Sequence, residues 1–264
     1  MNSLAVHNLS GEDSKDLPVI FCIHGWSCNA QVFKPLAALF EGRFQLIAVD
    51  LPGFGDSQCE DAQQAYEITN LIDALLHVAP ENSTWLGWSL GGMLAVQAAA
   101  RAPQRVKNVM TLCSNAKFLA DNKWKKGVPA PLYNGFMEGI DNARVTLRRF
   151  AALTVVGEQK DMLTHLKWLQ KNTQSPQPNS EVLKASLELL ALIDNRKILS
   201  ILPQPCLHML STDDAIVPHG VSQEYNKINE KHLVSFVPNG SHASLVTQPQ
   251  SVANGILTFL QVNS

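Results

Sequence analysis

A serine flanked by glycines is the first candidate for chemistry in this chain. Residues 85–93 read WLGWSLGGM, which places Ser89 two residues after Gly87 and two residues before Gly91. A serine hydroxyl becomes an effective nucleophile when a base removes its proton and a carboxylate orients that base. Because G-x-S-x-G also occurs by chance, the surrounding pattern and the partner residues decide what it means.

The base is expected to be a histidine that follows the serine. The histidines beyond Ser89 are His165, His208, His219, His232 and His242. His208 falls inside an apolar run, which is typical of a core residue. His165 lies in the middle of the chain, away from the strand ends, and His219 and His232 lie in polar helix or loop sequence. His242 follows the apolar run 233–237 in the segment PNGSHAS, where a loop at the carboxyl edge of a sheet would place it. We therefore expect His242 to be the base.

The orienting carboxylate is expected between the serine and the histidine. The apolar run 206–210 leads into STDDAIVP, which offers Asp213 and Asp214. Both could be surface residues of a turn, but a carboxylate in a loop after a strand is what the base requires. We favour Asp214 over Asp213.

Acyl transfer through a serine also needs backbone N–H groups that stabilise the negative charge on the reacting oxygen. Leu90, directly after the serine, supplies one, and Trp26 in the HGWS segment supplies the other. We interpret His24 as a brace for this loop through hydrogen bonds, not as a base. The segment DLPGFGDS (50–57) lacks G-x-G-x-x-G and continues as loop, so it does not predict a dinucleotide site.

Short apolar runs that alternate with helical patterns must position these residues. The predicted strands are residues 19–23, 45–49, 84–88, 109–113, 206–210 and 233–237. The predicted helices are residues 31–40, 65–78, 90–102 and 251–262. This alternation predicts an α/β fold with a mostly parallel sheet and helices on both faces. Ser89 then lies in the turn between a strand and a helix, as in a nucleophile elbow.

The alternation stops between residues 116 and 186, where helix-like pieces 143–156 and 162–171 are broken by proline-containing segments. We interpret residues 116–186 as a helical cap (lid) inserted into a core formed by residues 1–115 and 187–264. The insertion holds eleven Lys and Arg against six Asp and Glu, whereas the rest holds ten against seventeen. This excess has two interpretations: a solvated helical face, or a docking surface for an acidic partner.

Composition excludes several classes of protein. A hydrophobic content of 45% and a net charge of −2 argue against disorder and general nucleic-acid binding. The five cysteines are scattered without a C-x-x-C pair, which argues against a disulfide framework or a zinc site and suits a reducing compartment. The N-terminal residues lack an export-signal pattern, and no apolar run approaches the ~20 residues that a membrane span needs. We expect a cytoplasmic monomer without a metal.

These segments together resemble the α/β-hydrolase family from end to end. The resemblance rests on HGW (24–26), DLPGFGDS (50–57), GWSLGG (87–92), DDAIVP (213–218) and GSHA (240–243). More narrowly, WLGWSLGG and VDLPGFG are similar to the pimeloyl-acyl-carrier-protein methyl ester esterases of biotin synthesis. The family triad falls on Ser89, Asp214 and His242, and its oxyanion donors fall on Trp26 and Leu90.

The narrower resemblance implies a substrate and its contacts. It implies a serine carboxylesterase that converts the methyl ester of pimeloyl-acyl carrier protein to pimeloyl-acyl carrier protein and methanol, with no cofactor. The implied substrate-binding residues are Trp26, Ser89, Leu90, Phe150, Ala151, Ala152, Leu153, Thr154 and His242. The implied carrier-docking residues are Arg144, Arg148 and Arg149, and Lys167 and Lys171 stand where further arginines are expected.

Other activities would use the same residues. A general short-chain carboxylesterase, a lactonase and a cofactor-free perhydrolase remain open as alternatives. A non-catalytic ligand receptor on the same fold is an alternative of a different class, and the presence of all three triad residues argues against it. Dehalogenases and epoxide hydrolases of this fold need an aspartate at position 89, which Ser89 disfavours.

Overall fold

A seven-stranded sheet organises the chain in this computed structural model, which describes residues 4–11, 14–158 and 160–263. The strands are β1 (Val6–Asn8), β2 (Val19–Ile23), β3 (Gln45–Val49), β4 (Ser83–Trp88), β5 (Val106–Leu112), β6 (Cys206–Ser211) and β7 (Leu233–Val237). Their order in the sheet is β1-β3-β2-β4-β5-β6-β7. All pairs are parallel except β1 with β3. Residues 1–3 and 12–13, part of the N-terminal stretch without an export-signal pattern, lie outside the described residues.

Twelve α-helices are assigned in the described ranges, in addition to short 3₁₀ turns. The first six are α1 (Lys34–Ala37), α2 (Ala62–Ala65), α3 (Ile68–Val78), α4 (Leu90–Arg101), α5 (Ala130–Gly139) and α6 (Ala143–Thr154). The others are α7 (Met162–Thr173), α8 (Ser180–Leu192), α9 (Arg196–Ile201), α10 (Ser222–Ile228), α11 (Ser244–Thr247) and α12 (Pro249–Val262). None of the helices in these ranges combines the length and apolar character needed to cross a bilayer.

The two faces of the sheet are covered by separate hydrophobic clusters. Strand β2 shows why, because successive side chains of a strand point to opposite faces. Phe21 and Ile23 belong to one cluster, with α3, α4 and α8, while Ile20 and Cys22 belong to the other, with α1 and α12. The apolar strands are therefore buried on both sides, which confirms the predicted α/β fold with a mostly parallel sheet.

Some elements differ from the sequence prediction. The sequence does not predict strand β1, because VHN has no apolar run and two of its three residues, Val6 and Asn8, are exposed at the sheet edge. The helix expected at 31–40 divides into a 3₁₀ turn, Ala30–Phe33, and the short α1. The helix expected at 65–78 begins only at Ile68, because Glu67 caps α3 by accepting a hydrogen bond from the backbone N–H of Asn70.

Helices α5, α6, α7 and α8 lie between β5 and β6, in the region expected to form the insertion. The two helices predicted there, 143–156 and 162–171, correspond to α6 and α7. Helix α8 continues to Leu192, past the expected boundary at residue 186, and packs against α2. The division into a core and a cap stays a prediction.

Candidate active site

Ser89 lies in the turn between β4 and α4 with a backbone conformation that side chains rarely adopt. Its φ is 54° and its ψ is −117°, so the residue carries backbone strain that persists only because its surroundings enforce it. A Cβ atom on Gly87 would overlap the carbonyl group of Gly91, and one on Gly91 would overlap that of Ile23. The two glycines are therefore required by the close packing of the turn, and Ser89 remains 8% exposed.

His242 and Asp214 form a buried pair. The Nδ1 atom of His242 lies 2.8 Å from Oδ2 of Asp214, and both side chains are 0% exposed. The other carboxylate oxygen of Asp214 accepts hydrogen bonds from the backbone N–H groups of Ile216 at 2.7 Å and Val217 at 2.9 Å. Asp213 is exposed, and its backbone N–H donates to the carbonyl of Gly240 at 2.9 Å. The structure therefore brings Asp214 to His242, and not Asp213.

The residue before the serine connects the elbow to the histidine loop. The indole Nε1–H of Trp88 donates to the carbonyl oxygen of His242 at 2.9 Å, and the two rings lie 5.5 Å apart between centroids. The Nε2 atom of His242 is buried and has no hydrogen-bond partner among the described residues. This nitrogen is therefore available to exchange a proton with a substrate or a nearby hydroxyl.

The loop after β2 approaches the serine. A Cβ on Gly25 would lie 3.1 Å from Cβ of Ser89, so the backbone of this loop runs next to the turn that carries Ser89. In the part of the chain that the structure describes, the backbone N–H groups of Trp26 and Leu90 have no acceptor. An unpaired N–H at the first residue of a helix is normal and is a natural site for negative charge.

His24 braces this loop. Its Nδ1–H donates to the carbonyl of Gly25 at 2.8 Å, and its Nε2 accepts from the backbone N–H of Leu51 at 3.0 Å. Burial lowers the pKa of His24, which agrees with a neutral ring that donates at one nitrogen and accepts at the other. The carboxylate of Asp50 adds a second brace by accepting from the N–H of Ala30 at 2.7 Å.

The expected acyl-contact segment lies at the C-terminal half of α6. The ring of Phe150 packs edge-on against Trp26 with 4.8 Å between centroids, and Phe136 lies 5.4 Å from Phe150. Phe150 and Leu153 line a narrow apolar cleft together with Ile216, which neighbours the Asp214 carboxylate.

The other members of this segment lie elsewhere. Ala151 and Thr154 are buried and Ala152 is exposed. None of these three lines the apolar cleft. The segment therefore divides into the cleft-lining Phe150 and Leu153, the buried packing residues Ala151 and Thr154, and the solvent-exposed Ala152.

The expected docking arginines are exposed on α6. Arg144 and Arg148, one helical turn apart, line a polar cleft of about 200 Å³ whose other members are Leu147, Gln170, Gln174 and Gln177. Arg149 is exposed outside that cleft, as are Lys167 and Lys171 on α7. Within the described ranges, the three arginines take part in no ion pair. Their charge is therefore available to a partner.

The remaining histidine expected in the core is found there. His208 on β6 is fully buried, stacks on Tyr225 at 3.9 Å, and bonds through its two nitrogens to Thr111 and His232. Burial lowers the pKa of His208, and it lowers that of His232 to about 4. These two histidines belong to the packing between β6, β7 and α10, and their hydrogen bonds go to Thr111 and to each other, not to Ser89, Asp214 or His242.

Two contacts near the site could not be inferred from the sequence. Trp88 is part of the quoted serine motif, but nothing in the motif indicates that its indole reaches a residue 154 positions away. Cys113 follows β5 and bonds to the hydroxyl of Ser211 at 3.2 Å, and its thiol lies within 4.8 Å of the nearest ligand atoms of Asp214 and His242. Burial raises the pKa of this thiol, so it stays protonated. The one feature of the sequence that could have indicated this position is that Cys113 ends the predicted strand 109–113, at the edge of the sheet where the site lies.

Comparisons with known proteins find relatives that match over most of this chain. A pimeloyl-[acyl-carrier protein] methyl ester esterase of Photobacterium profundum is 33% identical over 241 residues, which cover 90% of this chain and 93% of that protein. A biotin biosynthesis bifunctional protein of Cellvibrio japonicus is 32% identical over 92% of this chain, which spans about half (48%) of that longer protein.

Solved structures and a family model share the fold of this chain. A solved esterase from Exiguobacterium antarcticum has a TM-score of 0.85 over 98% of this chain and 95% of that chain, at 15% sequence identity. The model of the alpha/beta hydrolase fold family matches residues 18–249. The strand–serine–helix turn, the sheet that carries it and this match lead to one conclusion: the chain belongs to the α/β-hydrolase family.

Proposed function

We propose that this protein is a serine carboxylesterase that hydrolyses the methyl ester of pimeloyl-acyl carrier protein to pimeloyl-acyl carrier protein and methanol in biotin biosynthesis. The observation that carries the proposal is the buried contact between His242 and Asp214, held against the elbow of Ser89 through Trp88. The substrate comes from the names of relatives that match over nearly their whole length.

In the first half of the reaction, the Ser89 hydroxyl attacks the carbonyl carbon of the ester. His242 takes the hydroxyl proton at Nε2, the nitrogen that has no partner among the described residues. Asp214 accepts the Nδ1–H, which fixes the tautomer and stabilises the imidazolium that forms. The proton then passes from Nε2 to the methoxide group, which leaves as methanol.

The oxygen that becomes negative in the tetrahedral intermediate is bound by the N–H groups of Trp26 and Leu90. Removal of one such donor typically costs about 10²- to 10³-fold in rate, so a braced loop matters for catalysis. The hydrogen bonds of His24 on either side of its ring supply that bracing. In the second half, water attacks the acyl-serine with the same base, and the free carboxylate is released.

The insertion supplies substrate recognition in this proposal. The acyl chain enters between Phe150 and Leu153, whose side chains must move apart to admit it, because the apolar cleft that they line measures about 10 Å³, room for about one water molecule. Each methylene then buried contributes about 0.8 kcal/mol. A methyl ester is neutral and suits such a cleft, whereas an unpaired carboxylate does not. The change from ester to acid therefore favours release of the product.

The basic face of α6 receives the carrier protein. Arg144, Arg148 and Arg149 are exposed and unpaired within the described ranges, and clustered positive charge attracts an acidic partner. We propose that the chain works as a monomer, because one chain carries the nucleophile, base, acid and both oxyanion donors. We place it in the cytoplasm, because its five cysteines are free, which suits a reducing compartment. The mechanism needs no metal or organic cofactor.

The proposal is tested by incubating the purified protein with pimeloyl-acyl-carrier-protein methyl ester and measuring methanol release. In parallel, the gene is expressed in a biotin auxotroph that lacks its own methyl ester esterase, with Ser89→Ala as the inactive control. We expect hydrolysis and growth without biotin for the wild type only. Hydrolysis of p-nitrophenyl butyrate without hydrolysis of the carrier ester would favour a general carboxylesterase. No hydrolysis of either ester would favour a ligand receptor.

A further inference from the structure

One peptide group next to the base is bound at both of its polar ends. The peptide that joins His242 to Ala243 contains the carbonyl of the first residue and the N–H of the second. The carbonyl accepts the indole N–H of Trp88 at 2.9 Å, and the N–H donates to the carbonyl of Thr154 at 2.9 Å. The two partners come from different parts of the chain, β4 and the end of α6.

We propose that Trp88 and the C-terminal end of α6 are positioning groups that set the orientation of the His242 imidazole through this peptide. This inference rests on the proposed role of His242 as the catalytic base. A hydrogen bond at each end of a peptide plane restricts its rotation, and that plane determines where the attached side chain points. Trp88 also precedes Ser89 directly, so one residue sets the nucleophile turn and the histidine loop relative to each other.

A second contact from the same segment reaches the acid loop. Gly157, three residues after α6, has a φ of +96°, and a Cβ there would overlap the carbonyl oxygen of Asp213 and lie 2.8 Å from its Cβ. Val155, between Thr154 and Gly157, is buried in the same cluster as Ala243. The end of α6 therefore packs against both the Asp214 loop and the His242 loop. In this way, the helix that lines the apolar cleft also takes part in positioning the base.

Trp88→Phe removes the indole N–H and keeps an aromatic ring, and the chain offers a matched control on the same strand. Trp85 is equally buried, and its Nε1 has no hydrogen-bond partner among the described residues. Trp85→Phe therefore makes the same change in size without removing a hydrogen bond. Each variant is assayed for kcat and KM with p-nitrophenyl butyrate, and its Tm is measured.

We expect Trp88→Phe to lower kcat about 10- to 100-fold and to leave KM within about twofold of the wild-type value. A small displacement of a reacting group lowers the rate of the chemical step, whereas it leaves the binding of the substrate nearly unchanged. Trp85→Phe should keep kcat within about twofold, with a comparable fall in Tm. A kcat for Trp88→Phe no lower than that for Trp85→Phe would overturn the proposal.

Two further measurements cover the case in which Trp88→Phe folds poorly or the wild type shows no esterase activity. Gly157→Ala is compared with Gly42→Ala. Gly42 has a similar φ of +71°, but nothing lies within 4 Å of the added Cβ.

The readout is the Nδ1–H of His242, which donates to Asp214 and is followed as a downfield proton resonance by NMR. We expect Gly157→Ala, and not Gly42→Ala, to shift or broaden this resonance and to lower kcat where it is measurable. An unchanged resonance in Gly157→Ala would refute the role of the α6 end, whatever the substrate proves to be.

Discussion

Asp214 and His242 are 28 residues apart in the chain, yet Oδ2 of the first lies 2.8 Å from Nδ1 of the second, with both side chains shielded from solvent. The carboxylate is itself held by the N–H groups of Ile216 and Val217. The Asp214 carboxylate is thus held by its own loop as well as by its contact with His242. A fixed carboxylate can orient an imidazole without a cost in conformational freedom during the reaction.

Replacing Ser89 by alanine should lower kcat for any ester substrate by about 10⁴-fold or more, because the attacking oxygen is removed. The variant should keep the circular dichroism spectrum and a Tm close to that of the wild type. Kinetics with p-nitrophenyl butyrate check this expectation. Turnover above a tenth of the wild-type value would show that another residue is the nucleophile.

Asp214→Asn should lower kcat about 10³- to 10⁴-fold, because an amide cannot stabilise the imidazolium or hold the required tautomer. Asp213→Asn is the matched control, since the Asp213 side chain is exposed. The substitution keeps the backbone N–H of residue 213, which donates to the carbonyl of Gly240. We expect that control to stay within about threefold of wild type. The opposite ranking of the two variants would assign the acid to Asp213.

Reversing the charge of Arg144 and Arg148 to glutamate should lower kcat/KM for the carrier-bound methyl ester about 10- to 100-fold at low salt. The loss should shrink as salt rises, because exposed charges are screened beyond about 10 Å at 0.1 M. Hydrolysis of p-nitrophenyl butyrate should change little, since the triad residues are untouched.

The double variant Arg43→Glu/Lys107→Glu has the same change in net charge on exposed residues outside the insertion, and it serves as the control. We expect it to keep its activity on the carrier ester. Equal losses in both double variants would mean that net charge, and not the face of α6, governs the reaction. Equal losses on both substrates in the Arg144 and Arg148 variant would point to damaged packing of the insertion.

Leu153→Ala should weaken the use of long acyl chains more than that of short ones. Leu153 is half-buried and lines the apolar cleft. In the proposed complex it contacts the distal methylenes of the acyl chain, and its truncation removes that contact. We expect kcat/KM to fall about 5- to 30-fold for p-nitrophenyl octanoate, or about 1–2 kcal/mol, and little for the acetate. Leu163→Ala on the exposed face of α7 is the control. A uniform loss across chain lengths would contradict an acyl-binding role.

The buried pair His208 and His232 should make the folded state lose stability in acid. Burial lowers both pKa values, that of His232 from 6.5 to about 4, so the unfolded chain binds more protons than the folded one between these pH values. The neutral His232 therefore makes its full contribution to the free energy of unfolding above about pH 6.5. This contribution falls as the pH drops toward 4.

His232→Asn should flatten this dependence by up to about 1.4 kcal/mol per pH unit, as measured by urea unfolding between pH 4 and 7. His77→Asn, on the exposed side of α3, should leave the slope as in the wild type. An unchanged slope in His232→Asn would show that other groups set the acid limit of the fold.

The local features of this protein could be read from its sequence. Buried parallel strands need nearly continuous apolar residues, so runs such as VIFCI at β2 were predicted with their bounds. The elbow at Ser89 was recognisable because crowding admits only glycine at positions 87 and 91. By contrast, β1 carries no apolar signal, since an exposed edge strand of three residues is held by backbone hydrogen bonds to β3.

The contacts between the residues of the site were decided only by the tertiary structure. Asp213 and Asp214 are chemically identical neighbours, and the way their loop packs selects which carboxylate reaches His242. The bond from Trp88 to the carbonyl of His242 joins residues 154 positions apart, and that from Ala243 to Thr154 joins the histidine loop to the end of α6. Sequence patterns encode the periodicity and burial of each segment, because these depend on neighbouring residues. Contacts between loops depend on how distant segments pack, and no local pattern records that.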